Sequence, residues 1–340
     1  MKAFYRYIIF LFISILALSL YIPKRYAVSY PKTLGPDLDT YIRQSYKNTI
    51  EEEQTEIVML GDSTLGYAVD ATLLEEELQA ETLSVSLPGT TATLWYLIIK
   101  NNIVPAEHKP AYLVLLVRDT VMTVPHYRTT GTYFNLIDEF ASPEDTNLIE
   151  KAYINPMSTL ERSAETYLPV YGSRWRIRES IDYYLRYGPP KVFFACNKDC
   201  VIKAMEDFFV GADIDEKHLG RALFAADTLL YTNKALNFNK SVSESFLPDI
   251  IQLTRENDIQ LIVVRMRTKR FISQNQTPRK LRNYFVDMES YLNENGVIYL
   301  DFSDAQEITS ADFDDDLHMN EQGQAIFTPM LIEALEKIIP

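Results

Sequence analysis

The sequence predicts an α/β protein: a flavodoxin-like, three-layer parallel sheet in the strand order 2-1-3-4-5, with a long helical insertion and an N-terminal transmembrane helix. Three observations lead there. Short apolar runs alternate with helix-patterned stretches toward both ends of the chain, and such alternation implies parallel strands with right-handed crossovers. One run, Tyr112-Leu113-Val114-Leu115-Leu116-Val117, is apolar throughout, the pattern of a central strand buried on both faces. Between about residues 120 and 243 the alternation stops, and a stretch so long reads as a helical insertion, not as a loop.

The elements are taken in chain order. Residues 1–25 form a signal anchor: a basic, aromatic lead through Arg6, an uncharged run from Ile8 to Ile22, then Pro23-Lys24-Arg25. Counted from Phe4, the run reaches the roughly 20 residues that span a bilayer. No small-x-small cleavage site comes after Ile22, which favours an uncleaved anchor over a cleaved signal peptide. The N-terminal position of this helix and the size of the domain behind it place the N-terminus in the cytoplasm and the domain outside the membrane. Residues 26–55 are a stalk with Pro31, Pro36 and a short helix from Leu38 to Ile50, ending in the solvated run Glu51-Glu52-Glu53. Residues 56–340 make the main domain.

Within that domain, strands are predicted at Glu56–Leu60, Thr82–Leu87, Ala111–Val117, Ile259–Val264 and Val297–Asp301. Helices are predicted at Ala71–Leu78, capped by Asp70, and at Ala92–Asn102, Ser243–Asn257, Pro278–Asn293 and Glu321–Ile338. Inside the insertion, helical pattern falls on Asn147–Lys151, Ser173–Tyr187, Asp199–Val210 and Lys217–Leu230.

Composition narrows the function. The 340 residues include 47% hydrophobic ones, enough for a large core, and the formal net charge is −14. Nucleic acid and anionic lipid surfaces attract positive charge, so neither is the expected main partner. The two cysteines, Cys196 and Cys200, allow either a short local disulfide or two buried thiols. No Cys/His cluster has metal spacing, and no cofactor is expected. The 22 Tyr and 17 Phe would suit a carbohydrate pocket but serve equally as amphipathic core.

The chemistry concentrates at two places. Gly61-Asp62-Ser63 comes directly after the first strand, at the sheet edge where open α/β folds bind ligands. Serine needs a base to act as a nucleophile, and that base is usually a histidine oriented by a carboxylate. Asp315 and His318 stand three residues apart in the loop before the last helix. That spacing lets the carboxylate meet one ring nitrogen while the other faces Ser63. The oxyanion of a tetrahedral intermediate needs donors, for which the N–H groups of Ser63 and Gly89 are candidates. Arg265 and Arg267, at the end of the fourth strand, suit either an anionic substrate or salt bridges. His108, His126 and His218 read as loop or surface residues.

Together Gly61-Asp62-Ser63, Gly89 after the second strand and the block Asp315-Asp316-Leu317-His318-Met319-Asn320-Glu321-Gln322-Gly323 resemble the SGNH (GDSL-like) hydrolase superfamily. The resemblance covers about residues 55–118 and 244–338, not the insertion. It implies Ser63 as nucleophile, His318 as general base, Asp315 as the orienting acid, and Gly89 with Ser63 as oxyanion donors. The superfamily usually places an Asn after the third strand as a further donor. Here that position reads Arg118-Asp119-Thr120, which makes Arg118 or Thr120 the expected substitute. The chain is similar to the membrane-anchored branch that looks like polysaccharide O-acetyltransferase accessory and teichoic-acid alanine-transfer proteins. That implies an extracytoplasmic serine acyltransferase or esterase acting on an acyl ester or envelope polysaccharide, with a membrane acyl-delivery protein as a candidate partner. The rival expectations are an inactive scaffold or glycan-binding component of an envelope assembly, and a secreted lipase with an apolar acyl groove.

Overall fold

Aliphatic and β-branched runs form the central strands of the sheet. The computed structural model describes residues 2–194, 197, 200, 227–272 and 277–339. These fall into two compact units, one of residues 1–36 with 153–219 and one of residues 37–152 with 220–340. The stretch read as one insertion is therefore divided. Among the described residues, 120–152 and 227–243 group with the sheet, while 153–194 group with the N-terminal segment.

In the first unit, α1 (Lys2–Tyr26) is a single helix with Lys24 and Arg25 in its last turn. Its segment Phe4–Tyr26 is long and apolar enough to cross a membrane. Three further helices come later in the chain: α8 (Thr159–Tyr167), α9 (Pro169–Gly172) and α10 (Arg174–Phe194). A capping box at Ser158 and Glu161 starts α8. Buried Glu165 pairs with both Lys32 and Arg174, and the Tyr26 hydroxyl donates to Ser180 Oγ at 2.9 Å. Tyr30 and Ser173 share a hydroxyl hydrogen bond of 3.0 Å. Helix Asp199–Val210 and most of Lys217–Leu230 lie outside the described residues, as does Cys196 and with it the question of a bridge to Cys200.

In the second unit, β1 (Ile57–Gly61), β2 (Thr82–Ser86), β3 (Tyr112–Val117), β4 (Gln260–Arg265) and β5 (Ile298–Asp301) form one sheet in the order β2-β1-β3-β4-β5. Every neighbouring pair is parallel. The predicted fold class and strand order are the observed ones. The helices of this unit are α2 (Ser45–Glu53), α3 (Ser63–Ala68), α4 (Ala71–Leu78), α5 (Ala92–Ile98), α6 (Thr132–Phe140), α7 (Thr146–Leu148), α11 (Phe238–Ser241), α12 (Leu247–Glu256), α13 (Arg279–Glu294) and α14 (Glu321–Leu335), of which α3, α4, α12 and α13 pack directly on strands. The stalk helix expected at Leu38–Ile50 is displaced: α2 starts at Ser45, and residues 38–44 are not helical. There Arg43 N donates to Glu139 O and Asp39 N donates to Asp138, so these backbone groups are satisfied by α6 and not by a helical turn. The predicted helix Ala92–Asn102 instead ends at Ile98 and continues as a π-turn from Ile99 to Ile103.

One apolar cluster positions the site. Leu65, Ala68, Val69 and Leu74 from α3, α4 and their link pack with Phe327, Leu331, Ile332 and Leu335 of α14 over Met59, Val114, Ile262 and Val264 of the sheet. Helix α14 is thereby docked beside α3, although more than 240 residues separate them. Thr328 Oγ1, accepting from Asp70 N at 3.0 Å and donating to Ala68 O at 3.3 Å, fixes their register. The α14 N-terminus is clamped as tightly. Asn320 caps it, accepting from Gly323 N at 3.0 Å and donating to Ala311 O at 2.8 Å. Gly323 lies so close to the Asp312 carbonyl that a Cβ there would collide with backbone. Gly323→Ala is therefore expected to lower stability by about 1–3 kcal/mol, read as a fall in the urea midpoint. An unchanged midpoint would show that the clamp is looser than described.

Candidate active site

Three loops of the sheet unit build the site. In the first, β1 ends at Gly61, where a Cβ would stand 2.7 Å from Leu65 Cβ. Only glycine lets α3 fold back this closely on its own strand. Asp62 then caps α3: its Oδ1 accepts from Thr64 N at 2.9 Å and from Thr64 Oγ1 at 2.6 Å. Ser86, at the end of β2, donates to Asp62 O and accepts from Gly66 N. Ser63 is thus the first residue of a helix locked from both sides.

The second loop carries the base. Asp315 Oδ1 accepts from the N–H groups of Leu317 and His318 at 2.7 and 2.8 Å. Its Oδ2 meets His318 Nδ1 at 2.7 Å. The turn is closed by a Phe313–Met319 bridge and by Asp314 N donating to His318 O at 3.0 Å. His318 Nε2 lies 2.7 Å from Ser63 Oγ, across 255 residues of sequence. Tyr67 of α3 packs its ring on the imidazole, with centroids 4.6 Å apart. Burial raises the Asp315 pKa, but the His318 side chain and the two backbone N–H donors outweigh it and hold the carboxyl at about 2. An ionised Asp315 only accepts hydrogen bonds, so His318 carries its proton on Nδ1 and presents the Nε2 lone pair to the Ser63 hydroxyl. The structure brings Ser63, His318 and Asp315 into one hydrogen-bonded line.

The third loop holds Gly89 at φ +73°, where an added Cβ would collide with the Arg128 guanidinium and the Tyr133 ring. Among the described residues, neither the Gly89 nor the Ser63 N–H has an acceptor. Both therefore remain available as donors.

Arg118 and Thr120 are placed differently from the expectation that one of them is a further oxyanion donor. Thr120 is fully buried, and its hydroxyl donates to Leu230 O at 2.6 Å. Arg118 is also buried. Its Nε donates to Asp62 Oδ2 at 3.0 Å and its Nη1 to Asp119 Oδ2 at 2.8 Å. Burial disfavours the charged guanidinium, but Asp62, Asp119 and Asp227 outweigh it and raise the Arg118 pKa well above its ordinary value. Arg118 thus anchors the carboxylate that caps the Ser63 helix.

The remaining candidates are committed elsewhere. Arg265 pairs with Asp301 at 3.0 Å over the Phe285 ring, and Arg267 donates to Ala305 O and Ile272 O. His108 Nε2 bonds Thr55 O, while His218 lies outside the described residues. A cavity of about 200 Å³ beyond β3–β5 is lined by Arg118, Asp119, Arg265 and Phe285 but not by Ser63 or His318. No cluster of metal-ligating side chains occurs among the described residues. Sequence reasoning missed Tyr67, Arg128, Arg270 and Asp227. Arg270 lies in a stretch that no periodicity or motif marks, and Asp227 falls within the predicted helix Lys217–Leu230 but sits in a 3₁₀ turn, Asp227–Tyr231.

The Asp315 environment fixes a pH signature. Its folded pKa, about 2, lies below the ordinary 3.8, so the ionised carboxylate stabilises the fold. That contribution is complete above roughly pH 4 and disappears as pH falls toward 2. The gap in urea midpoint between wild type and Asp315→Asn is expected to be widest above that window and to close within it. A gap independent of pH would contradict the assignment.

No protein-family model matches the chain, and no curated protein matches it. Among solved structures it is similar to a "putative acylhydrolase" from Bacteroides fragilis, with 12% identity and a TM-score of 0.41 over 87% of this chain and 97% of that one. It is also similar to a GDSL-like lipase from Bacteroides thetaiotaomicron, with 10% identity and a TM-score of 0.40 over 87% and 98%.

Proposed function

We propose that the chain is a serine-dependent acyltransferase or esterase, anchored by α1 with its sheet domain on the extracytoplasmic side of the membrane. The observation that carries the reading is the line Asp315 Oδ2–His318 Nδ1–His318 Nε2–Ser63 Oγ, with both links at 2.7 Å. In the proposed reaction Ser63 Oγ attacks the ester carbonyl carbon while His318 Nε2 takes the hydroxyl proton. The Ser63 and Gly89 N–H groups meet the developing oxyanion. Collapse breaks the bond to the leaving alcohol, which receives the proton from His318, and leaves an acyl group on Ser63. A sugar hydroxyl or water, deprotonated by His318, then takes the acyl group and restores the enzyme. Asp315 remains ionised and stabilises the imidazolium. The substrate we propose is an O-acetylated or acetyl-accepting envelope polysaccharide, with a membrane protein delivering the acyl group where the reaction is transfer.

One observation favours a second reading, an inactive scaffold or glycan-binding component: neither Arg118 nor Thr120 takes the place of the further oxyanion donor. Losing one such donor costs about 3 kcal/mol of transition-state stabilisation.

A serine-reactive fluorophosphonate separates the readings. The enzyme reading expects stoichiometric labelling of the full-length protein, abolished in Ser63→Ala and slowed about 10⁴-fold or more in His318→Ala. Absence of labelling and of ester turnover in a folded protein would leave the scaffold. The anchor is tested by alkaline carbonate extraction of membranes. The protein is expected to stay in the pellet, and release into the supernatant would sink the anchored assignment.

A further inference from the structure

Buried away from the triad is a second, charged assembly that the proposed reaction does not use. Its centre is Asp227, fully buried in a short 3₁₀ turn, Asp227–Tyr231. Three arginines converge on this one carboxylate. Arg118 Nη1 lies 3.6 Å from Oδ2, Arg128 Nη2 lies 3.3 Å from Oδ1, and Arg270 Nη1 lies 3.7 Å from Oδ2. The Tyr127 hydroxyl also donates to Asp227. A second path closes the assembly into a ring. Arg118 pairs with Asp119, the Asp119 carboxylate is close enough to Tyr231 to help raise its hydroxyl pKa, and the Tyr231 hydroxyl accepts from Arg270 at 2.8 Å. Buried Arg118 and half-buried Arg128 and Arg270 thus face three buried carboxylates, Asp62, Asp119 and Asp227, so the assembly is close to neutral.

Each arginine leads to a different part of the site. Arg118 holds Asp62, the cap of the Ser63 helix. Arg128 packs under Gly89 and over the Tyr127 and Tyr133 rings, leaving the Gly89 loop no room for a side chain. Arg270 holds the residue beside Asp315: its backbone N–H donates to Asp316 O at 3.2 Å, and its Nε lies 3.8 Å from Asp316 Oδ2. The nucleophile turn, the Gly89 turn and the acid–base loop therefore meet at one carboxylate. A network of buried charges is a poor stabiliser compared with apolar packing of the same volume. What it does well is fix positions, because each buried charge is expensive to leave unpaired. Among the described residues, only Arg128 and Tyr127 hydrogen-bond Asp227, both at Oδ1, while Arg118 and Arg270 meet Oδ2 as ion pairs beyond hydrogen-bond distance.

We infer that Asp227 is a positioning residue that sets the Ser63, Gly89 and His318 loops relative to one another through Arg118, Arg128 and Arg270. The role rests on the serine-enzyme reading for its chemical consequence but not for its structural one, and the two separate experimentally. The test uses full-length protein in detergent. The variants are Asp227→Asn, which keeps the shape and removes the charge, together with Arg128→Gln and Arg270→Gln, which each cut one spoke and keep Asp227.

Amide hydrogen exchange is expected to rise about tenfold or more in Asp227→Asn over residues 61–66, 87–91 and 314–320 together. In Arg128→Gln it is expected to rise over 87–91, and in Arg270→Gln over 314–320, with the other two segments close to wild type. Fluorophosphonate labelling of Ser63 in Asp227→Asn is expected to slow about 10²-fold, as misplaced reacting groups do. Unchanged exchange in the three segments, or a uniform rise across the whole sheet unit, overturns the positioning role. Should Asp227→Asn not fold, the two arginine variants decide the matter: loosening confined to the matching loop supports the hub, and loosening of all three loops by either variant contradicts it. If the wild type is not labelled at all, the serine-enzyme reading falls, and the exchange pattern still decides whether Asp227 positions the three loops.

Discussion

The site depends on one packing constraint, the docking of α14 against α3. Both helices start at the carboxyl edge of the sheet, α3 at Ser63 and α14 at Glu321, three residues after His318. Strands β1 and β5 are not neighbours; β3 and β4 lie between them. The loop after β5 would therefore end far from Ser63 if it simply continued along its strand. It returns because Phe327, Leu331, Ile332 and Leu335 bury themselves against Leu65, Ala68, Val69 and Leu74. Burying side chains of this size contributes roughly 1.5–3 kcal/mol each. Compared with that, a hydrogen bond such as Ser63–His318 contributes about 1 kcal/mol. The hydrophobic interface thus sets the geometry, and the hydrogen-bonded line reports it.

On top of this frame, local polar chemistry refines positions that apolar packing leaves loose. Asp62 and Asn320 each cap the helix they precede. Asp315 accepts two backbone N–H groups as well as the imidazole, so its carboxylate is oriented before any substrate arrives. Because the supporting donors are backbone groups, orientation does not depend on flexible side chains. The exposed Tyr67 ring lies on the imidazole from the solvent side, and Ser63 and His318 themselves are only partly buried.

Much of this was legible in the sequence, and for identifiable reasons. The five strands read correctly because β1, β3 and β4 are nearly continuous apolar runs whose burial leaves no alternative. Ser63, Asp315 and His318 were legible because Gly-Asp-Ser at a strand end and Asp-x-x-His before a helix are local patterns with a local geometry. What was hidden is non-local. Arg118 reads as a substitute oxyanion donor when only its neighbours in sequence are considered. Its partners Asp62 and Asp227 lie 56 residues before it and 109 after it, and no periodicity connects them. The start of α2 was misplaced for the same reason: the N–H groups of Asp39 and Arg43 are satisfied by α6, almost 100 residues on.

The central claim is that Asp315 orients His318 as a base toward Ser63, which requires neutral His318 to carry its proton on Nδ1. Nitrogen-15 NMR of histidine-labelled full-length protein, with His318 assigned by comparison with His318→Gln, measures this directly. In the neutral state a protonated Nδ1 and an unprotonated Nε2 are expected, with that tautomer preference lost in Asp315→Asn. A neutral His318 protonated on Nε2 would point its proton at Ser63 instead of its lone pair, and would contradict the claim.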